Sequence, residues 1–206
     1  MKLIPEWYEH QYCLIAWPCN KDLYGEIINK ARDEVANVIN EIAKTEHVIV
    51  LSNKEDINEI QNKTDHKNID IIECKLDDSW MRDIAPIFYN ENEKLKSISF
   101  EFNGYGKYPD YLNDNKISKF ISNYLNIPTK ISDLVIEGGA ITYDDKKNLF
   151  STKNVIFNKN RKQKHNSEYI IKELKLLFDL NYIFLFENGL MAVSYTHLRA
   201  HETVVH

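Results

Sequence analysis

The sequence has few cysteines and no long apolar run. Its three cysteines, Cys13, Cys19 and Cys74, match neither a disulfide framework nor a pair of CxxC zinc hooks, so we interpret them as reduced, mainly structural thiols. No segment approaches the ~20 consecutive apolar residues that a membrane-spanning helix needs, so we expect no membrane partner. Proline and glutamate interrupt the N-terminus, MKLIPEWYEH, where a signal peptide has its apolar stretch, which predicts a cytoplasmic protein.

Positive charge is not in excess either. The chain of 206 residues has 26 Lys and Arg against 31 Asp and Glu, a formal net charge of −5. Nucleic acid phosphates need a concentrated positive surface, so we expect no nucleic acid partner, whereas a cationic small molecule fits this balance. A hydrophobic content of 43% is enough for one substantial core, and the length predicts one globular domain or two small ones.

Apolar runs that favour strands alternate with segments of helical period, which predicts a mixed α/β fold. The predicted strands are YCLIAWP, HVIVL, IDIIEC, PIFYN, KLKSISFEF, LVIEGGAITYD, LFSTKNVIF and YIFLFE, and two predicted helices are ISKFISNYL and EYIIKELKLLF. No repeat and no low-complexity linker is present, so nothing marks a domain boundary before the late 180s.

Two further helices are predicted in the first third of the chain. Apolar residues recur at helical spacing from Leu23 to Ile42, which predicts a long amphipathic helix after the first strand. Ser52 and Glu55 have the spacing of a capping box, which predicts that a second helix opens there and runs towards Gln61.

The segment DDSWMRD crowds acidic residues around an aromatic side chain. After the strand IDIIEC, a loop can turn Asp77, Asp78, Trp80 and Asp83 towards a common point. Carboxylates hold a planar guanidinium through paired hydrogen bonds, and an aromatic face adds about 0.5–2 kcal/mol of cation–π attraction. The alternative is a solvated acidic turn in which Arg82 pairs with Asp78 or Asp83 and Trp80 belongs to the core.

A second candidate is VIEGGAI, where Glu137 lies between apolar residues and precedes two glycines. Burying a carboxylate costs several kcal/mol unless it is paired, while Gly138 and Gly139 allow the close backbone approach or positive φ that a site often needs. The alternative is a β-bulge with Glu137 at the exposed edge of the strand.

A third candidate is FNGYGKYP, whose glycines follow a predicted strand. The third glycine of a G-x-G-x-x-G dinucleotide motif would fall at Pro109, so a nucleotide-binding loop is excluded on spacing. A glycine-bent aromatic loop over a pocket is the functional interpretation, and an ordinary surface turn is the alternative.

Five blocks together resemble one family, the agmatine deiminases and bacterial peptidylarginine deiminases of the guanidine-modifying superfamily. The blocks are IPEWYEHQYCLIAWP, DDSWMRDIAPIF, EFNGYGKYPDY, VIEGGAI and NVIFNKNR, and the resemblance covers about residues 3 to 190. It implies the pentein fold, an α/β-propeller of five ββαβ-like modules around a central site. This chain would contain only the first few modules and end before the propeller closes.

The resemblance also implies a chemistry without a metal or organic cofactor. In the family a cysteine thiolate attacks the guanidinium carbon, ammonia leaves, and water hydrolyses the amidino-thioether, with a histidine as general acid and base. Asp83 matches the carboxylate that grips the guanidinium nitrogens, and Glu137 matches the acid that orients the histidine and contacts the substrate. Trp80 belongs to the wall of the substrate site, and we predict Asp77 and Asp78 as further substrate-binding residues.

The family's histidine and cysteine blocks are missing. The histidine block should begin just after Asn188-Gly189-Leu190, where the composition changes, and residues 191–206 read as a non-native tail that resembles translated sequencing-adapter reads. Residues 1–190 are then the N-terminal part of a deiminase catalytic domain. His197 and His201 stand four apart, as metal ligands can, but no third ligand accompanies them.

The sequence therefore predicts part of an agmatine deiminase-type hydrolase, inactive as this chain, whose partner is agmatine. A peptidylarginine deiminase and a noncatalytic binder of guanidinium or polyamine ligands remain as alternatives. A homo-oligomer also remains open.

Overall fold

The computed structural model describes residues 1–65 and 67–187. In this part of the chain, strands and helices alternate as the sequence predicts. The strands are β1 (Lys2–Leu3), β2 (Tyr12–Ala16), β3 (His47–Ser52), β4 (Ile69–Glu73), β5 (Ile87–Glu91), β6 (Lys94–Glu101), β7 (Thr129–Val135), β8 (Thr142–Tyr143), β9 (Asn148–Thr152) and β10 (Tyr182–Phe186). The helices are α1 (Lys21–Tyr24), α2 (Ile28–Ile42), α3 (Ile57–Lys63), α4 (Met81–Ile84), α5 (Asp114–Tyr124), α6 (Lys153–Ile156) and α7 (Ser167–Phe178).

The described residues form two compact units. Residues 9–65 and 67–81 form the small unit, and residues 1–8 and 82–187 form the large unit. The boundary between Met81 and Arg82 falls inside the segment DDSWMRD. The predicted tail at 191–206 lies outside the described residues. None of the helices in the described ranges is long and apolar enough to cross a membrane.

The small unit is a parallel sheet with strand order β2-β3-β4. Its central strand is apolar from Val48 to Leu51, and Val48, Ile49, Val50 and Leu51 are all buried, as expected of a strand that is covered on both faces. Side chains of β2, β3, α2 and α3 share one core, which includes Cys13, Ile15, Trp17, Ala36, Ile39, Val48, Val50 and Ile60.

The two predicted helices of the small unit differ from their sequence patterns. The helix from Leu23 is interrupted at Gly25, whose φ is +52°, and α2 begins only at Ile28, so Leu23 and Ile27 remain exposed. The capping box at Ser52 and Glu55 is wrong. Ser52 ends β3 and its hydroxyl donates to the Asn53 carbonyl, while a 3₁₀ turn at 54–56 precedes α3.

The large unit contains two sheets. One has the order β1-β5-β6-β7, in which β6 pairs antiparallel with β5 and parallel with β7, and the other has the order β10-β9-β8. α7 connects the parallel strands β9 and β10, and its buried face packs into a core of aliphatic and aromatic side chains. That core includes Leu3, Tyr89, Ile98, Leu134, Ile136, Ile141, Leu149, Ile170, Leu174 and Phe178.

Two predicted strands of the large unit are shorter than their apolar runs, and the first of them ends beside a candidate residue. The run LVIEGGAITYD leaves β7 after Val135 and forms a 3₁₀ turn at 138–140, directly after Glu137. The run LFSTKNVIF leaves β9 after Thr152, because the Thr152 hydroxyl accepts a hydrogen bond from the Val155 amide and caps α6.

Candidate active site

Asp83 is buried in the large unit, with 3% of its surface exposed. Its Oδ1 accepts a hydrogen bond from the Gly139 amide at 2.9 Å, and its Oδ2 accepts one from the Tyr105 hydroxyl at 2.6 Å. Short hydrogen bonds to a carboxylate are stronger than those between neutral groups and fix its orientation. The side chain therefore has one defined position in the interior of the unit.

Glu137 is fully buried in the same unit and forms an ion pair with Arg161. The Arg161 Nε donates to Oε1 at 2.9 Å and to Oε2 at 3.0 Å, and Arg161 itself is 1% exposed. A buried charge is tolerated only when it is paired. The prediction that Glu137 is buried is thus confirmed, and the exposed β-bulge is excluded.

The glycines after Glu137 allow two close approaches. A Cβ built on Gly138 would overlap the carbonyl oxygen of Arg82, and the Gly139 amide is the donor to Asp83. The predicted close backbone approach is therefore present at Gly138. The segment EGG brings the Glu137 turn against the chain around Asp83.

Tyr105 lies in a strained turn between two glycines. Gly104, Tyr105 and Gly106 have φ values of +61°, +59° and +70°, and Tyr105 is buried. Left-handed backbone is uncommon for any residue other than glycine and costs about 1–3 kcal/mol when the surroundings enforce it. The FNGYGKYP segment is thus a glycine-bent aromatic turn whose tyrosine contacts a candidate residue, and not a surface turn.

The acidic loop of the small unit is anchored by Asn53. The Asn53 amide donates to the Leu76 carbonyl at 3.2 Å and accepts from the Leu76 amide at 2.9 Å, so the side chain pairs with the backbone as a strand neighbour would. The Cys19 thiol also contacts the Leu76 carbonyl, at 3.7 Å. These contacts fix the start of the loop that carries Asp77 and Asp78.

Asp78 is buried in this loop, whereas Asp77 and Trp80 are half-buried. The Ser79 amide donates to the Asp78 Oδ1 at 2.8 Å, and the Ser79 hydroxyl pairs with the Tyr24 hydroxyl at 2.7 Å. Burial raises the pKa of Asp78 above its ordinary value, against the lowering effect of hydrogen bonds from Ser79 and Trp80. Burial likewise raises the pKa of Tyr24.

Asp83 and Glu137 thus both lie in the large unit, where the Gly139 amide that Asp83 accepts from is two residues after Glu137, while Asp77, Asp78 and Trp80 lie in the small unit. Arg82 pairs with Glu6, and the suggested pairing with Asp78 or Asp83 is wrong. No local sequence pattern indicates this pair, because Glu6 lies 76 residues before Arg82.

Sequence reasoning assigned no role to Tyr105, Arg161 or Asn53. A role for Tyr105 could have been inferred, because an aromatic residue between two glycines indicates an unusual turn that buries the aromatic side chain. Arg161 lies in the block NVIFNKNR, where nothing in the spacing links it to an acid 24 residues earlier.

The described residues hold no cluster of three or more His, Cys, Asp and Glu that could bind a metal ion. Cys13 is buried, Cys19 and Cys74 are half-buried, and no disulfide joins them.

Comparison with known proteins identifies the family. A sequence model of the Porphyromonas-type peptidyl-arginine deiminases matches residues 2–203. The chain belongs to this family. A Mycoplasma capricolum protein with a provisional agmatine deiminase name is 33% identical over 176 residues, which are 82% of this chain and 48% of that protein. The agmatine deiminase of Medicago truncatula is 28% identical over 200 residues, 90% of this chain and 53% of its own length.

Solved structures of the family share the fold. An agmatine deiminase of C. jejuni with substrate bound superposes with a TM-score of 0.85 at 26% identity, over 95% of this chain and 59% of its own. The agmatine deiminase of Enterococcus faecalis gives a TM-score of 0.89 at 18% identity, over 96% of this chain and 56% of its own, and supports the fold alone. The predicted α/β fold class and family are confirmed, and the chain spans about half the length of the curated relatives it matches.

Proposed function

We propose that this chain is the N-terminal part of an agmatine deiminase-type hydrolase, which converts agmatine and water to N-carbamoylputrescine and ammonia. Its described modules would belong to an α/β-propeller that further sequence completes, and residues 191–206 would be a non-native tail. Relatives named agmatine deiminase, and a related structure solved with substrate bound, support this proposal.

The observation that carries the proposal is the pair of buried carboxylates in the large unit. Asp83 is 3% exposed and accepts hydrogen bonds from two neutral donors, Tyr105 and Gly139. A buried carboxylate that is held in one orientation is preorganised to accept hydrogen bonds from a ligand. A guanidinium group suits this acid, because its planar N–H donors match carboxylate oxygens in pairs.

The roles within the reaction follow the family. Asp83 would hold the guanidinium nitrogens, and Glu137 would contact the substrate and orient the histidine. Trp80 would belong to the wall of the substrate site, with Asp77 and Asp78 as further substrate-binding residues. Asp83 and Glu137 would keep the guanidinium carbon in line for thiolate attack, which would account for a large part of the rate.

The thiolate and the histidine would come from sequence that this chain does not carry. The thiolate would form a bond to the guanidinium carbon, and the C–N bond to the departing nitrogen would break as the histidine gives that nitrogen a proton and releases ammonia. Water, deprotonated by the same histidine, would then cleave the amidino-thioether and release the carbamoyl product and the thiolate. No metal or organic cofactor takes part.

The description of the matching family favours a second candidate, a peptidylarginine deiminase that converts protein-bound arginine to citrulline. The two activities differ in what the site accepts beyond the guanidinium. A noncatalytic binder of guanidinium or polyamine ligands is a third candidate for the 206-residue chain alone.

The test uses the protein at the length of its relatives, about twice the length of this chain. Purified enzyme is supplied with agmatine or with a blocked arginine peptide, and released ammonia and carbamoyl product are measured together. We expect one ammonia and one N-carbamoylputrescine per agmatine. Turnover of the peptide alone would establish the peptidylarginine deiminase instead, and binding of agmatine without ammonia release would establish the binder.

A further inference from the structure

Tyr105 and Arg161 have no part in the proposed reaction, yet each holds one of the two buried acids. Tyr105 donates to Asp83 at 2.6 Å, and the Arg161 Nε donates to both oxygens of Glu137 at 2.9 and 3.0 Å. Both donors are themselves buried, with Tyr105 3% and Arg161 1% exposed. A donor that is fixed by packing orients its acceptor more strictly than a donor that is free to move.

The two donors also belong to turns that are joined directly. The Asn103 amide donates to the Arg161 carbonyl at 2.7 Å. At Gly106 the turns pack so closely that a Cβ would overlap the carbonyl oxygen of Asn160. The turn of residues 103–106 and the turn of residues 158–161 therefore form one rigid pair, which we call the brace.

The brace closes a ring around the candidate site. From Asp83 the contacts run through Tyr105 to the brace, through Arg161 to Glu137, and through the Gly139 amide back to Asp83. Every link is a hydrogen bond or a peptide segment of a few residues. Movement of one acid relative to the other would therefore break at least one link.

The backbone of Tyr105 supports a functional interpretation. A left-handed tyrosine persists only where its surroundings enforce it, and such residues cluster at functional sites. The chain could avoid the strain with glycine or asparagine at this position, but neither residue would place a phenol hydroxyl beside Asp83.

We propose that Tyr105 and Arg161 are positioning residues, which hold Asp83 and Glu137 at a fixed separation through the brace. This inference rests on the proposed function, because its purpose is to present two acids to one guanidinium group. Loss of either donor lets one acid rotate while both acids remain present. Misplacement of a reacting group by about 1 Å can cost on the order of a hundredfold in rate.

The first test compares Tyr105→Phe and Arg161→Lys in the protein at its relatives' length. Tyr89→Phe is the matched control, because it removes a buried hydroxyl of the same unit that has no hydrogen-bond partner among the described residues. Arg32→Lys is the control for a buried arginine that pairs with acids of the small unit.

We expect kcat for agmatine to fall about tenfold to a hundredfold in Tyr105→Phe and Arg161→Lys, with KM changed less than threefold. In Tyr89→Phe and Arg32→Lys, kcat should stay within about twofold of wild type. A merely structural role would lower the melting temperature of Tyr105→Phe and Arg161→Lys without this separation of kcat from KM. If kcat of Tyr105→Phe is within twofold of wild type, the inference is wrong.

The second test does not depend on activity. Crystal structures of wild type and Tyr105→Phe should show the Asp83 carboxylate rotated or in two conformers in the variant, with Glu137 unchanged. If Tyr105→Phe does not fold, Asn103→Ala, which breaks the brace and keeps the phenol, replaces it. Asp83 in its wild-type position would refute the inference, whereas failure of wild type to release ammonia would refute only the proposed function.

Discussion

At the scale of single residues, Asp83 and Glu137 are both buried but are held by different kinds of donor. Asp83 accepts from a hydroxyl and a backbone amide, and Glu137 accepts from a guanidinium group. A change of charge therefore has different consequences at the two positions. At Asp83 it should affect ligand recognition, and at Glu137 it should affect the stability of the unit.

Asp83→Asn in the protein at its relatives' length should lower kcat/KM for agmatine at least about a hundredfold, on the order of 3 kcal/mol. The amide has one acceptor oxygen and cannot accept a parallel pair of hydrogen bonds from one guanidinium, but it has the shape of the acid and the fold should survive. Steady-state kinetics with a melting curve measure both effects. Asp70→Asn, at an exposed acid beside His47, serves as the control. Activity within threefold of wild type would remove Asp83 from the site.

Glu137→Gln should destabilise the protein by about 3–5 kcal/mol, because it leaves the Arg161 charge buried without its carboxylate. Denaturant unfolding gives the free energy directly. Glu101→Gln removes an exposed partner of Lys164 and should change the free energy by less than about 1 kcal/mol. Equal effects of the two substitutions would show that the buried ion pair contributes no more to stability than the exposed one.

Asp78 should make stability depend on pH. Its folded pKa lies above the ordinary value of 3.8, so the folded state binds the proton more tightly and wild-type stability falls as pH rises through this window. Asp78→Asn removes that loss of stability. The free energy of unfolding of Asp78→Asn relative to wild type should therefore rise from about pH 3 upwards and then level off. Urea unfolding at several pH values measures this trend.

Asp133 provides a control of opposite sign. A hydrogen bond from His165 lowers the pKa of Asp133, so wild-type stability rises as pH approaches the ordinary value of 3.8. The free energy of unfolding of Asp133→Asn relative to wild type should therefore fall as pH rises over the same acidic window. The same trend in both variants would mean that burial does not govern Asp78.

At the scale of elements, the turn that carries Tyr105 depends on Gly106. Gly106→Ala places a Cβ at a φ of +70° and against the Asn160 carbonyl, and should cost at least about 2 kcal/mol. Gly25 has a φ of +52° and a ψ of −133° with open space around it, so Gly25→Ala should cost backbone strain alone, about 1–3 kcal/mol. Gly106→Ala adds the overlap with Asn160 to its strain and should cost more, and the excess in unfolding free energy measures the contact between the turns. A cost of Gly106→Ala no larger than that of Gly25→Ala would show that the close approach is absent in solution.

Elements with a clear period could be predicted from the sequence, and those set by particular contacts could not. The strands β2, β3 and β4 and the helix α7 follow from apolar pattern alone, because burial on a sheet or on one helical face leaves that pattern. The end of β9 depends on a cap from Thr152, and the late start of α3 depends on a 3₁₀ turn. Such local contacts contribute about 0.5–2 kcal/mol each and leave no periodic signal.

The candidate site was predicted unevenly for the same reason. Glu137 stood out because an acid among apolar residues has to be explained by burial. Arg161 did not, because an arginine in a polar segment is ordinary until the chain brings it to Glu137. The role of Asn53 in holding Leu76 likewise depends on pairing between strand ends that no local pattern records.

At the scale of the whole molecule, β10 leaves aromatic side chains in water. Tyr182, Phe184 and Phe186 alternate along one face of this strand and are 65%, 46% and 52% exposed. Among the described residues β10 pairs only with β9, so its other edge has no strand beside it. An apolar edge strand of this kind favours association.

The 206-residue chain expressed alone should therefore associate or aggregate at micromolar concentration and release no ammonia from agmatine. Replacing Tyr182, Phe184 and Phe186 together by Thr should shift it towards monomer on size-exclusion chromatography with light scattering. Leu176→Thr is the control, because Leu176 is 73% exposed as a single residue on α7 and should change nothing. A wild-type chain that stays monomeric with a sharp cooperative melt would contradict the prediction.

The ring of contacts around the candidate site also has a consequence for the order of folding. Its hydrogen bonds join residues that are 22, 24, 56 and 58 positions apart in the chain. Loops of that length close only at an entropic cost that local structure does not repay, so such contacts form late. The helices and hairpins of the large unit can therefore exist before the site does. Any species that is compact but incompletely folded will carry all the residues of the site and none of its geometry.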